Sequence, residues 1–124
     1  MIPTPIPTYG LTHLNLEVRD PDVSLRFYTR LFGVQETYRD AKSIQVSGPG
    51  PHDVIAFVKS DQAGNTGGIT HFGFRLREPA DMATALESAI AVGATIIRQG
   101  EFGPGLPYLY LLDPDGYEIE IWYE

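Results

Sequence analysis

One stretch of this chain occurs twice. Gly10-Leu-Thr-His-Leu-Asn-Leu-Glu-Val-Arg-Asp-Pro21 returns 58 residues later as Gly68-Ile-Thr-His-Phe-Gly-Phe-Arg-Leu-Arg-Glu-Pro79. Gly, Thr, His, Arg and Pro recur in register, and Asp20 is answered by Glu78. An internal repeat fixes architecture more firmly than any local propensity, because each copy must adopt the same supersecondary unit. In both copies apolar residues alternate with others: Leu14, Leu16 and Val18 in the first, Phe72, Phe74 and Leu76 in the second. Period two with one apolar face predicts a half-buried strand, and both His13 and His71 fall on the polar side.

Each strand leads into a helix. Asp20 and Glu78 stand at the N-cap or first turn, where a carboxylate meets free amides and the positive end of the helix dipole. Pro21 and Pro79 suit the first helical position, which needs no N–H. Val23, Phe27 and Leu31, then Met82, Leu86 and Ile90, follow at helical spacing. Gly33 and Gly93 stand where a left-handed terminal residue is wanted. Strands are then predicted over Val34–Arg39, Lys42–Val46 and Asp53–Lys59, and over Thr95–Gln99, Pro107–Leu112 and Tyr117–Tyr123. Gly/Pro-rich turns separate them. The fold class that results is α+β, with two βαβββ modules forming a cupped mixed sheet. The expected organisation is one domain over 1–124, with modules 10–59 and 68–124 and a linker at 60–67.

Composition removes several function classes. The chain has 124 residues, 43% of them hydrophobic, enough for a core. Without cysteine, any metal must sit on nitrogen and oxygen donors. A formal charge of -7 repels phosphate backbones, so nucleic acid is not an expected partner. No apolar run reaches the length of a bilayer span, so no membrane partner is expected. The Pro/Thr-rich start, Met1 to Tyr9, reads as an extended arm rather than a signal peptide, which makes the cytoplasm the expected location.

The chain has three histidines, and two occupy equivalent places in the repeat. One histidine on a strand is ordinarily a packed or surface residue. Two that a pseudo-twofold axis would bring face to face suggest ligands. On the last strand Glu118 and Glu120 share a face, and parity leaves both open as a third ligand. Two imidazoles and one carboxylate leave open positions on Fe, Mn, Zn or Ni, where a substrate's oxygen pair could bind and be polarised.

Three stretches carry a family resemblance. They are Leu11-Thr-His-Leu-Asn-Leu-Glu-Val-Arg-Asp20 with Ser24-Leu-Arg-Phe-Tyr28 and Leu31-Phe-Gly-Val34; Ile69-Thr-His-Phe-Gly-Phe74; and Tyr110-Leu-Leu-Asp-Pro-Asp-Gly-Tyr-Glu-Ile-Glu120. The chain resembles the vicinal oxygen chelate superfamily of glyoxalases, bleomycin resistance proteins and extradiol dioxygenases. The resemblance implies one divalent metal ion on His13, His71 and Glu120, the glutamate being the one four residues beyond the Asp113-Pro-Asp-Gly116 turn. It also implies a catalytic part for Glu120 and Tyr110, the tyrosine as hydrogen-bond donor or proton carrier toward a small-molecule substrate. It implies a homodimer, in which His13 of one subunit can meet His71 and Glu120 of the other.

No single activity matches every part. The fourth ligand of glyoxalase I and methylmalonyl-CoA epimerase has no counterpart on Val54-Ile-Ala-Phe-Val58, and His52 just before it is no obvious substitute. The extra histidine of extradiol dioxygenases is missing near Glu101-Phe-Gly103. The basic tail of fosfomycin-resistance transferases is missing after Glu120. The expected function is therefore a metal-dependent enzyme, extradiol-dioxygenase-like or unassigned glyoxalase-like. The alternative is a metal-free drug-sequestering protein of the bleomycin-resistance type, with Phe102, Tyr108, Tyr110 and Trp122 lining an aromatic groove in either case. Gly100–Pro107 is read as a flap over that groove or as a plain hairpin loop.

Overall fold

The computed structural model describes residues 2–124; Met1, at the head of the arm, lies outside them. The order of elements is β1 (His13–Val18), α1 (Pro21–Phe32), β2 (Gln35–Arg39), β3 (Ser43–Ser47), β4 (Val54–Lys59), then β5 (Phe72–Arg75), α2 (Asp81–Ala91), β6 (Thr95–Glu101), β7 (Pro107–Leu112) and β8 (Glu118–Trp122). Both halves are βαβββ units. Each makes a four-stranded mixed sheet, ordered β1-β4-β3-β2 and β5-β8-β7-β6. Within each, the first strand runs parallel to the last and the other neighbours are antiparallel. The parallel pair requires a crossover, and the helix provides it. None of the described helices is long and apolar enough to cross a membrane.

The first helix starts and stops as expected. Asp20 is its N-cap, accepting a hydrogen bond from the Asp22 amide, with Pro21 in the first turn. Gly33 ends it at φ 67, a left-handed value that glycine adopts without strain. Its inward face buries Ser24, Phe27 and Tyr28, each large apolar side chain contributing roughly 1.5–3 kcal/mol.

The second helix differs from the sequence expectation. It begins at Asp81, two residues later than Pro79 suggested, and its N-cap, Ala80, makes no side-chain cap. The amides of Asp81 and Met82 bond instead to the Glu78 and Pro79 carbonyls, so this stretch forms a tight turn before the helix. Glu78 is therefore not its cap.

The core joins both halves, from Val18, Ile44, Val46 and Phe57 in the first sheet to Leu109, Leu111 and Ile119 in the second. A polar junction reinforces it at the Asp113-Pro-Asp-Gly116 turn. The buried Asp113 carboxylate accepts from the Tyr28 hydroxyl at 2.7 Å, and from the amides of Asp115 and Tyr117 at 2.9 and 3.0 Å. Asp115 takes both the backbone and the guanidinium of Arg19. The Tyr117 hydroxyl donates to the Glu17 carbonyl at 2.7 Å. On the other side, the Phe32 and Phe74 rings stack at 3.7 Å.

Candidate metal-binding cup

The polar face of the second sheet is organised in rows that run across its strands. One row is Arg98–Tyr110–Glu120–Gly73, each residue the register partner of the next. The row beside it is Gly100–Tyr108–Trp122–Arg75. His71 stands one residue before β5, at the head of the same face. One face of the sheet therefore presents an imidazole, carboxylates, aromatic rings and two cations together.

His71 and Glu120 come together there. His71 Nε2 lies 3.6 Å from Glu120 Oε1. On the other side of the ring, Nδ1 faces Glu118 Oε2 at 3.4 Å and the Thr70 hydroxyl at 3.2 Å. The two glutamates that parity left open thus occupy different edges of one imidazole. Such an arrangement suits a ligand histidine, because an acceptor at one ring nitrogen fixes the tautomer and leaves the other nitrogen's lone pair free. Strand parity alone did not separate Glu118, on the Nδ1 side, from Glu120; the family resemblance pointed to Glu120, and the two carboxylates lie at different nitrogens of the His71 ring.

Tyr110 is committed to the same carboxylate. Its hydroxyl donates to Glu120 Oε2 at 2.5 Å, and its ring meets His71 edge-on. That hydrogen bond, followed by burial, raises the phenol above its ordinary pKa. Tyr110 is thereby held protonated, as a donor that orients Glu120.

His13 is not part of this group. It lies exposed on β1, in the other sheet. Among the described residues no three His, Asp or Glu side chains converge to hold a metal. Strands β1 and β5 belong to different sheets and are not paired, and alternation turns Leu14 and Leu16 toward the second module while exposed His13 points the other way. A cavity of about 160 Å³ lies between β1 and β5, lined by Leu14, Leu16, Ile69, His71 and Glu118 among others. His52, the third histidine, stacks on Tyr9 at 3.7 Å.

Three of the four aromatic side chains pack on one another. Phe102 packs on Tyr108 and Tyr108 on Tyr110, with ring centroids 4.6 and 5.5 Å apart. The segment before them is a hairpin loop closed by Phe102 N–H to the Leu106 carbonyl and Leu106 N–H to the Gly103 carbonyl. The cup floor is opened by Gly73. A Cβ there would lie 2.9 Å from the Glu120 carbonyl and 3.1 Å from Trp122 Nε1. Gly73→Ala is expected to cost about 1–3 kcal/mol in urea unfolding, because the obstructing oxygen is backbone; an unchanged midpoint would show that β5 and β8 separate freely.

The family model of the Glyoxalase/Bleomycin resistance protein/Dioxygenase superfamily matches residues 10–121. The chain belongs to this superfamily. Solved structures agree with the fold. A glyoxalase/bleomycin resistance protein/dioxygenase family enzyme from Burkholderia phytofirmans is 25% identical, with 91% of this chain and 97% of that one covered at TM-score 0.77. FosX, the fosfomycin resistance protein of Mesorhizobium loti, is 18% identical over 94% and 93% at TM-score 0.78. A variant of FosX from Listeria monocytogenes, complexed with Mn(II) and a dihydroxypropylphosphonic acid, is 21% identical over 92% and 89% at 0.78. Among curated proteins none matches.

Proposed function

We propose that this superfamily member is a divalent-metal-dependent enzyme whose site is shared between two chains. His71 and Glu120 of one copy would hold the ion together with His13 of the second, in a cytoplasmic homodimer. The observation that carries the reading is the His71–Glu120 pair, with Nε2 turned to the carboxylate and Nδ1 backed by Glu118 and Thr70. Borderline nitrogen and oxygen donors of this kind suit Fe, Mn, Zn or Ni, and Mn(II) is the ion in the Listeria FosX complex.

When bound, the ion supplies Lewis-acid polarisation of a substrate that chelates through vicinal oxygens. The chain's own residues do the rest. Tyr110 orients the Glu120 carboxylate through its hydroxyl. Tyr108 and Trp122, in the row beside Tyr110 and Glu120, would flank the bound substrate with aromatic surface. The reaction is extradiol-dioxygenase-like or an unassigned glyoxalase-like conversion.

Elemental analysis of tag-free protein tests this directly. Wild type is expected to carry about one ion per chain, and His71→Ala and Glu120→Ala to lose most of it. A full complement in Glu120→Ala would overturn the ligand set. A wild type that takes no metal after reconstitution would favour the drug-sequestering alternative.

A further inference from the structure

Arg98 is the loose cation of the cup. Its guanidinium lies flat over Tyr110, with the central carbon 4.0 Å from the ring centroid. Its one ion pair, to Glu118 Oε2, is at 3.8 Å, beyond hydrogen-bond reach, and the side chain is 52% exposed. Among the described residues its only polar neighbour besides Glu118 is the Tyr110 hydroxyl, whose proton is already given to Glu120. The other cup arginine is different: Arg75 rests on Trp122 and is hydrogen-bonded to the Glu124 carbonyl. Arg98 is held in place by stacking, while the N–H groups at its edge remain available.

Its position is built by the backbone. Strand β6 has a register irregularity between Ile96 and Arg98, so that Ile96 pairs with Leu111 and Arg98 with Tyr110. Simple alternation would have set Ile97 opposite Tyr110. The bulge turns the arginine onto the face that carries Tyr110 and Glu120.

We propose that Arg98 is the specificity-determining residue of the cup and that the substrate carries a carboxylate remote from its chelating oxygens. This rests on the metal-site reading above for the placement of those oxygens. A planar carboxylate meets a guanidinium edge through two parallel hydrogen bonds, which an ammonium cannot reproduce. Arg98 lies 4.0 Å from the Tyr110 ring centroid and the His71 ring 5.3 Å from it, so one aromatic or short aliphatic body is long enough to span the two ends. Tyr108 and Trp122, in the neighbouring row, supply an apolar flank for it. The net charge of -7 repels acids in general, so recognition must come from a placed cation.

The chain's single tryptophan stands in the cup, so its one indole N–H resonance reports binding there without any catalytic assay. The probes are 3,4-dihydroxybenzoate and its neutral counterpart 3,4-dihydroxybenzamide, which share the vicinal oxygen pair. They are titrated into metal-free and metal-loaded protein. Wild type is expected to bind the acid about tenfold or more tightly than the amide. Arg98→Ala should bring the two together by weakening the acid alone, and Arg98→Lys should keep part of the preference. Arg26→Ala, the same charge change on the exposed side of α1, should leave it intact. Equal affinities in wild type, no indole shift with either probe, or a preference that survives in Arg98→Ala would each overturn the assignment. A preference for the acid in metal-free protein that elemental analysis shows cannot hold metal would sink the metal reading and uphold Arg98.

Discussion

Mixed His13→Ala and Glu120→Ala chains, each nearly metal-free alone, are expected to recover about one quarter of the wild-type metal content after subunit exchange. The arithmetic follows from a shared site. Random exchange makes half of all dimers mixed. In each mixed dimer one site combines both substitutions, while the other takes His13 from the Glu120→Ala chain and His71 with Glu120 from its partner. A site contained in one chain predicts no recovery at all. Native mass spectrometry establishes that mixed dimers have formed. If they have and the metal stays absent, the shared site is wrong. The structure motivates the experiment by placing exposed His13 on the first sheet and the His71–Glu120 pair on the second.

The second large effect concerns the junction. Asp113→Ala is expected to destabilise the fold by about 4 kcal/mol, read from urea unfolding at fixed protein concentration. The Tyr28 hydroxyl and the amides of Asp115 and Tyr117 all lose their acceptor, and the site is buried. Asp113→Asn keeps an acceptor for the amides and should cost about 1 kcal/mol. The pair also differs in pH dependence. Burial outweighs the opposing hydrogen bonds from Tyr28, Tyr117 and Asp115 and leaves the Asp113 carboxyl above its ordinary pKa. A carboxyl raised in the folded state holds its proton longer there than in the unfolded chain. Its contribution is therefore greatest below the ordinary carboxylate range and declines as pH rises through the folded value. The Asn variant should lack that decline. An Ala variant as stable as wild type would mean that water replaces the carboxylate.

Much of this architecture was legible in the residues. The repeat gave two equivalent strand–helix units, and the alternation in Leu14, Leu16 and Val18 marked the face that is buried. Cap chemistry worked where it was local: Asp20 and Gly33 bracket α1 as their side chains require. It failed at Glu78, because Pro79 enters a turn whose backbone bonds compete with helix initiation. The site was legible in part. Strand parity put both glutamates on the cup face, and ring orientation then separated their surroundings. Arg98 was missed for a physical reason. A bulge shifts parity by one residue, and nothing in Thr95-Ile-Ile-Arg-Gln99 announces it. The separation of His13 from His71 was equally hidden, since it depends on how the two sheets face each other and not on the pattern within either strand.

The distribution of these donors over two sheets also has a thermodynamic side. If no single chain owns a complete chelator, ion uptake and chain association become linked equilibria, each drawing the other forward. Occupancy then depends on how much protein is present as well as on free ion, and dilution alone can strip the site. The ion would be a component of the assembly, and the abundance of the chain would set how much of it is loaded.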